Sequence, residues 1–493
     1  MLYDLVIRNG LVMDPASRFV GTFSVGVHDG KIATLTSMPI SGKVEIDAAG
    51  LVVAPGFVDV HTHVDGNRRA GYELVKMGVT SAIAGNCGNF MWFDDPEAAK
   101  QRLHAQKDYD VVNFNRLDRD WSDLLQDVDT HGYPVNLGLL VGSATLRLKA
   151  GAADPTAPVS PAQLAEMCGT AARFIEAGCF GVSFGVMYTP GMTRDELLAL
   201  FRVAARYQAI AAVHPRYGGV GLRGLVPDAL AGHEEIIDVA READVRLQIS
   251  HIAHQIAYQS RPYDDLTTRG IRMVDEARAD GVDVMADCMP LAQNVLEVGL
   301  PLTAVLYERL PQVESQLGRK IENVVFVKEG PHRGQGLTPA LYRQILQEAP
   351  MTALVVKLMK EDLVLRTLLP EWCFVGSDIG DKFFPAQARV IGNYVREHGA
   401  FTLMDALRKC TSIPADRFGL EHKGRIAVGV DADFTIFDAD RISGTHTFMA
   451  DQAETAGIEY VIVNGVPVME RGRLLDVLPG RALRRGASAG IAR

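Results

Sequence analysis

The stretch Gly56-Phe57-Val58-Asp59-Val60-His61-Thr62-His63-Val64-Asp65 is a short apolar run that ends abruptly in two histidines one residue apart. Side chains alternate along a strand, so His61 and His63, at i and i+2, share a face and can grip one ion. A run that stays apolar on both faces belongs to a strand inside a parallel sheet covered by helices. Taken alone the HxH pair says little, because paired core or surface histidines are common. The rest of the chain has to decide.

Outward from this stretch the same texture recurs. Apolar runs such as VNLGLLVG, GCFGVSFG, AIAAVHP, VRLQISH, VDVMADC and EWCFVGSD alternate with helical patterns such as PAQLAEMCGTAARFIEAG and TRDELLALFRVAARYQ. Strands alternating with amphipathic helices predict an α/β parallel sheet. The units span more chain than the roughly 250 residues of a plain (β/α)8 barrel, so an insertion is expected, near 290–350. Before residue 56 the segments YDLVIRNGLVMD, FSVGVHDGKIATL and KVEIDAAGLVVAPG carry glycine turn signals and look like a meander. That style returns after about residue 420 in GRIAVGVDADFTIFD and EYVIVNGVPVME. The expected organisation is 1–55 and 420–493 as two parts of one small β-sandwich, with a barrel over 56–419 between them. The final GRALRRGASAGIAR is expected to fray.

Composition narrows the classes of partner. The chain has 493 residues, 47% apolar and 22% charged, with a formal net charge of −10. That balance argues against nucleic acid and against an anionic membrane surface, and favours a small molecule. The opening MLYDLVIRNGLVMD has no basic region followed by an apolar one, and the expectation is a cytoplasmic protein. Six cysteines (Cys87, Cys168, Cys179, Cys288, Cys373, Cys410) form no CxxC pair, which fits reduced thiols. Self-association is left open.

The polar residues then fall into a pattern, since catalytic groups of a parallel barrel sit at the C-terminal ends of its strands. Cys87 follows VTSAIAGNCG, His214 ends AIAAVHP, His251 ends VRLQISH and Asp378 ends EWCFVGSD. With His61 and His63 these are ligand types from five strand ends, and packing alone does not explain them.

This constellation resembles the amidohydrolase superfamily and, within it, the N-acyl-D-amino-acid deacylase (D-aminoacylase) family. The resemblance is carried over nearly the whole chain by GFVDVHTHVD, KMGVTSAIAGNCG, LVGSATLR, the Tyr188-Thr189-Pro190-Gly191 turn, LQISH, DVMAD, VGSD and the stretch from ARVIGNYVREHG to DADFTIFD. It implies a (β/α)8 TIM-like barrel with a small β-sandwich built from both chain termini. It also implies that Cys87 stands where most two-metal relatives have a carboxylated lysine. By resemblance Cys87, His214 and His251 would bind a tight Zn2+, while His61, His63 and Asp378 line a second, weaker site.

The chemistry agrees with that implication. A thiolate and two imidazoles leave zinc an open position, and zinc lowers the pKa of bound water toward about 7. Asp378 is then the general base and acid. The expected reaction is cleavage of a linear amide, with hydrolysis of a cyclic amide, deamination, a Cys87–His covalent mechanism or a non-enzymatic scaffold as competing readings. Candidate substrate contacts are Ser143, Tyr188, Arg216, His254, Met289 and Lys382. One departure stands out: the family's arginine after GSD has no clear counterpart in DIGDKFFPAQAR, and the family's tyrosine falls in ADCMPL, where Met289 and Leu291 have no hydroxyl. Common N-acetyl-D-amino acids are therefore expected to be poor substrates.

Overall fold

The computed structural model describes residues 2–64, 67–88, 121–216, 227–257, 266–299, 301–357, 359–379, 385–445 and 454–486. Its centre is a set of parallel strands that pair in chain order: β1 (Phe57–Asp59), β2 (Val79–Ala84), β3 (Asn136–Leu139), β4 (Gly181–Gly185), β5 (Ile210–His214), β6 (Arg246–Ile249), β7 (Val284–Cys288) and β8 (Cys373–Val375). β3 pairs with β2, and its continuation Val141–Gly142 pairs with β4. Just past the last strand, Ile379 forms a parallel bridge with Thr62, which brings β8 back to β1.

These strands are buried on both faces because helices cover them. The helix Arg194–Arg206 shows how. Thr193 caps its first turn by accepting from the Glu196 amide, and Leu197, Leu200, Phe201 and Ala204 are buried on one side at helical spacing. Phe201 meets Phe184 of β4 edge to face, with centroids 5.0 Å apart. A buried side chain of that size contributes about 1.5–3 kcal/mol.

The stretch read as an insertion contains a three-stranded antiparallel sheet, in the order Asn294–Glu297, Ala353–Val356, Val325–Val327, with helices beside it. It lies between β7 and β8, so it extends the last crossover.

Both chain ends contribute to a nine-stranded sheet, in which Phe434–Phe437 pairs antiparallel with Val52–Pro55. Leu5, Ile7, Val25, Val27, Val53, Phe434 and Ile436 share one apolar core there. A polar knot ties this sheet to β3. The Asn136 side-chain amide donates to Thr80 O and to Asp433 Oδ2 (3.1 and 3.2 Å), and Asn464 donates to Asn136 Oδ1 (2.7 Å). The buried Lys423 ammonium closes the knot on Asp433 and Asp431 (2.7 and 2.9 Å).

The basic C-terminal stretch does not fray over its described part. Leu137 N donates to Arg481 O, Leu483 N to Leu137 O and Arg485 N to Gly178 O, at 2.9 to 3.0 Å. Edge backbone of β3 gives these residues partners that composition alone does not reveal. No helix among the described residues is long and apolar enough to cross a membrane.

Lys423 is 5% exposed and Asp433 3%, so removing one partner strands the other charge. Lys423→Met is expected to lower stability by about 3–5 kcal/mol in urea unfolding, with much of the loss recovered in the Lys423→Met/Asp433→Asn pair. A loss under about 1 kcal/mol would show that the knot is not a stability element.

Candidate metal centre

The strand ends of β1, β2, β5, β6 and β8 meet at one mouth. The ligand atoms of His61, His63, Cys87 and Asp378 lie within 4.8 Å of one another, and so do those of Cys87, His214 and His251. Cys87 belongs to both groups: its Sγ is 3.3 Å from His61 Nε2 and 3.4 Å from His251 Nε2. Asp378 Oδ1 stands 3.2 Å from His61 Nε2 and 3.0 Å from His63 Nε2.

Local backbone geometry aims these side chains. His61 and His63 share a face by strand alternation. Cys87, His251 and Asp378 instead each adopt a left-handed conformation, with φ of +50°, +32° and +53°. Each sits one to three residues past the end of its strand, where a left-handed residue turns the chain sharply. Gly88, also left-handed at φ +81°, allows the close approach that follows, because a Cβ there would lie 2.7 Å from Gly185 N.

Burial separates two sides of the cluster. Cys87, His214 and His251 are 2%, 6% and 4% exposed. The side chains of His63 and Asp378 are 16% and 23% exposed, so solvent and any ligand reach the cluster from their side.

The electrostatics follow from close packing of opposite charges. Burial opposes ionisation of the Cys87 thiol, but the positive charge on His61 and His251 overcomes it and holds the thiol well below its usual range. Asp378 is likewise opposed by burial and is then held well below the ordinary carboxylate range by His251, His61 and hydrogen bonds from His61 and His63. Against the cost of burial, hydrogen bonding to Asp378 and the nearby thiolate lift His63 to about 10. The thiolate and carboxylate are thus ready for a metal ion, which would have to displace only the histidine proton.

His214 is different. Neither of its ring nitrogens has a hydrogen-bond partner of ordinary geometry, a costly state for a buried imidazole. One nitrogen lies in the group with Cys87 and His251. A thiol, imidazoles and a carboxylate at this spacing form a donor set that fits zinc.

Hydrogen bonds from behind fix the rings. His61 Nδ1 is 2.7 Å from the buried Asp287 carboxylate. His251 Nδ1 is 2.7 Å from the Gln255 amide oxygen, whose nitrogen in turn donates to Ile252 O and His251 O. Neither Asp287 nor Gln255 was among the sequence candidates. Asp287 did leave a signal, as an acid next to the end of the otherwise apolar VMADC strand.

The remaining candidates divide. Ser143 is fully buried beside Gly88, its hydroxyl without a partner, and the Tyr188 ring lies 4.9 Å from His214. His254 sits in the short helix Ala253–Ile256 with its ring 5.5 Å from His251. Burial, then the neighbouring His251 charge, pushes it down to about 3, so it is neutral. The Arg216 guanidinium is committed elsewhere: Nε and one terminal nitrogen meet Glu235 at 2.9 Å, and the carbonyls of Pro190 and Met192 take further donors. Met289 is half-buried against the main apolar core. Lys382 lies outside the described residues.

Comparison with known proteins agrees with this geometry. Residues 52–468 match the model of the amidohydrolase family, and the chain belongs to that family. It is 31% identical to the N-acyl-D-glutamate deacylase of Alcaligenes xylosoxydans xylosoxydans, over 98% of this chain and 97% of that protein. It is 28% identical to the D-aminoacylase of the same organism, over 99% and 98%. Among solved structures, N-acyl-D-glutamate deacylase from Bordetella bronchiseptica, complexed with zinc and a phosphonate inhibitor, superposes with a TM-score of 0.80 at 26% identity, covering 98% of this chain and 100% of that one. A D-aminoacylase crystal structure gives 0.81 at 25% identity with the same coverage.

The raised His63 value has a sign that can be tested without metal. A histidine whose folded pKa lies above its unfolded value of about 6.5 stabilises fully below that pH and loses the stabilisation as pH rises toward about 10. The melting temperature of EDTA-treated protein is expected to fall across that window, and His63→Asn to flatten the fall. A melting temperature independent of pH between 6.5 and 10 would contradict it.

Proposed function

We propose that this chain is a zinc-dependent amidohydrolase that cleaves the linear amide of N-acyl-D-amino acids. The observation that carries the reading is the pair of ligand groups sharing Cys87 at one mouth of the parallel strands. Full-length similarity to an N-acyl-D-glutamate deacylase and a D-aminoacylase supports the substrate class. Strand order and the Thr62–Ile379 bridge support reading the parallel set as a (β/α)8 barrel over 56–419. The sheet and core shared by both chain ends support a β-sandwich from 1–55 and 420–493. The absence of a membrane-length helix among the described residues is compatible with a cytoplasmic enzyme.

In this reading Cys87, His214 and His251 hold the tighter zinc, and His61, His63 and Asp378 line a weaker second position. A zinc ion held there polarises the amide carbonyl and lowers the pKa of water to about 7. The protein's own groups do the rest. Asp378 is the carboxylate of the cluster and is reached by solvent, so it takes a proton from the attacking water and returns it to the leaving nitrogen. Tyr188, kept protonated by burial and by the negative Cys87 and Asp378, donates a hydrogen bond to substrate, as does Ser143. His254 stays neutral beside the cluster and does not compete for the proton.

Three measurements test this. Cys87→Ala is expected to lose bound zinc together with activity. Asp378→Asn is expected to keep the tight zinc and lose at least about 10²-fold in kcat. Its backbone should keep the left-handed turn, since asparagine accepts that conformation as readily as aspartate. In a panel of N-acyl-D-amino acids, their L-forms and cyclic amides, release of free D-amino acid is expected, and ammonia or ring opening would overturn the reading. N-acetyl-D-leucine and N-acetyl-D-methionine should stay below about 10⁴ M⁻¹s⁻¹ in kcat/KM if the missing arginine matters.

A further inference from the structure

Behind the metal centre lies one carboxylate with three distinct donors. Asp287, at the end of β7, is 2% exposed. Its Oδ1 is 2.7 Å from His61 Nδ1 and also accepts the backbone N–H of His251 at 2.7 Å. Its Oδ2 accepts from Gln248 Nε2 at 2.9 Å. The same oxygen thus touches a ring from one ligand group and the main chain of a residue from the other. Its backbone joins in, since Ile252 N donates to Asp287 O at 2.9 Å.

We infer that Asp287 is the positioning residue that makes the weaker metal position, by fixing the tautomer and tilt of His61 while pinning the left-handed turn that presents His251. This rests on the proposed metal-binding role of the cluster. With its Nδ1–H given to Asp287, His61 would offer an Nε2 lone pair to a metal that displaces the Nε2 proton now facing Cys87 and Asp378, which lie 3.3 and 3.2 Å away. A carboxylate acceptor also makes that nitrogen a stronger donor to a cation than a neutral acceptor does. The two halves of the centre are not treated alike: His251 has only the neutral amide of Gln255 behind it, and neither ring nitrogen of His214 has a hydrogen-bond partner of ordinary geometry. The ring backed by the carboxylate belongs to the more open half, where solvent competes for the ion. At His251 the backbone needs the support, because φ of +32° is a rarely occupied conformation for a non-glycine residue.

Asp287→Asn separates charge from shape. An asparagine oxygen can still accept from His61 and from His251 N–H, and the clash of its amide with Gln248 is relieved by turning the Gln248 amide, whose Oε1 has no partner. Zinc titration by equilibrium dialysis, and the electronic spectrum of the cobalt-substituted protein, read the two positions without substrate. For Asp287→Asn the first equivalent of zinc is expected to bind as in the unmodified protein, and the second to weaken about 10- to 100-fold. Gln248→Ala, which removes only the donor to Oδ2, should give an intermediate loss and covers the case in which Asp287→Asn fails to fold. A purely structural role would lower the melting temperature while leaving the second equivalent and the cobalt spectrum unchanged, and that result overturns the inference. Unmodified protein that binds no zinc would instead overturn the metal-centre reading itself.

Discussion

Asp59 is a carboxylate sealed inside the protein, and the first and eighth parallel strands are held together around it. One oxygen accepts from the backbone N–H groups of His61 and Ser377, both at 3.2 Å, and the other from Gln387 Nε2 at 2.9 Å. The next residues then pair directly, His63 N donating to Ile379 O at 2.6 Å and Asp378 N to His61 O at 2.9 Å. Apart from the local bond from His61 to Asp59, each link spans more than 300 positions of sequence, and each is small on its own, about 1 kcal/mol. Together they define where the last strand lies relative to the first. The distance between the HxH pair and Asp378 follows from that register, so the open half of the metal centre is a by-product of how the strands meet.

Backbone conformation aims ligands in both halves. Cys87, His251 and Asp378 are the left-handed residues of the site, and each costs on the order of 1 kcal/mol or more relative to an unstrained turn. Other left-handed non-glycine residues, such as Asn9, Asp29 and Asn464, are at turns near strand ends of the outer sheet and include the types that tolerate the conformation best. Cysteine does not, and its presence in that conformation at the cluster is what a site selected for ligand direction at some expense of stability looks like.

Much of this was legible in the sequence, for a physical reason. An imidazole or thiol at the close of a doubly buried apolar run has no role in packing, so His61, His63, Cys87, His214, His251 and Asp378 stand out from the strands they end. What stayed hidden depends on partners far away in sequence. Asp287 meets a histidine 226 positions earlier, and no local pattern announces it. Arg216 was a candidate to hold a substrate carboxylate, with a salt bridge at the barrel rim as the equal alternative, and Glu235 in the next helix takes it up. Residues 480–486 looked like a solvated tail because their charge is visible, whereas the unpaired edge of β3 that receives their backbone is not.

The sheet built from both chain ends imposes an order on the life of the molecule at the ribosome. Val52–Pro55 emerges early, but its neighbour Phe434–Phe437 is made nearly 400 residues later. At about 5–20 residues per second, the wait is tens of seconds. Through that interval the nascent chain exposes a strand edge and an apolar face with no partner, the condition in which misassembly competes with folding. A chain cut short before Asp433 lacks the C-terminal strands of that sheet and the knot on β3, so an incomplete product leaves the edge Val52–Pro55 uncovered and open to chaperones and proteases.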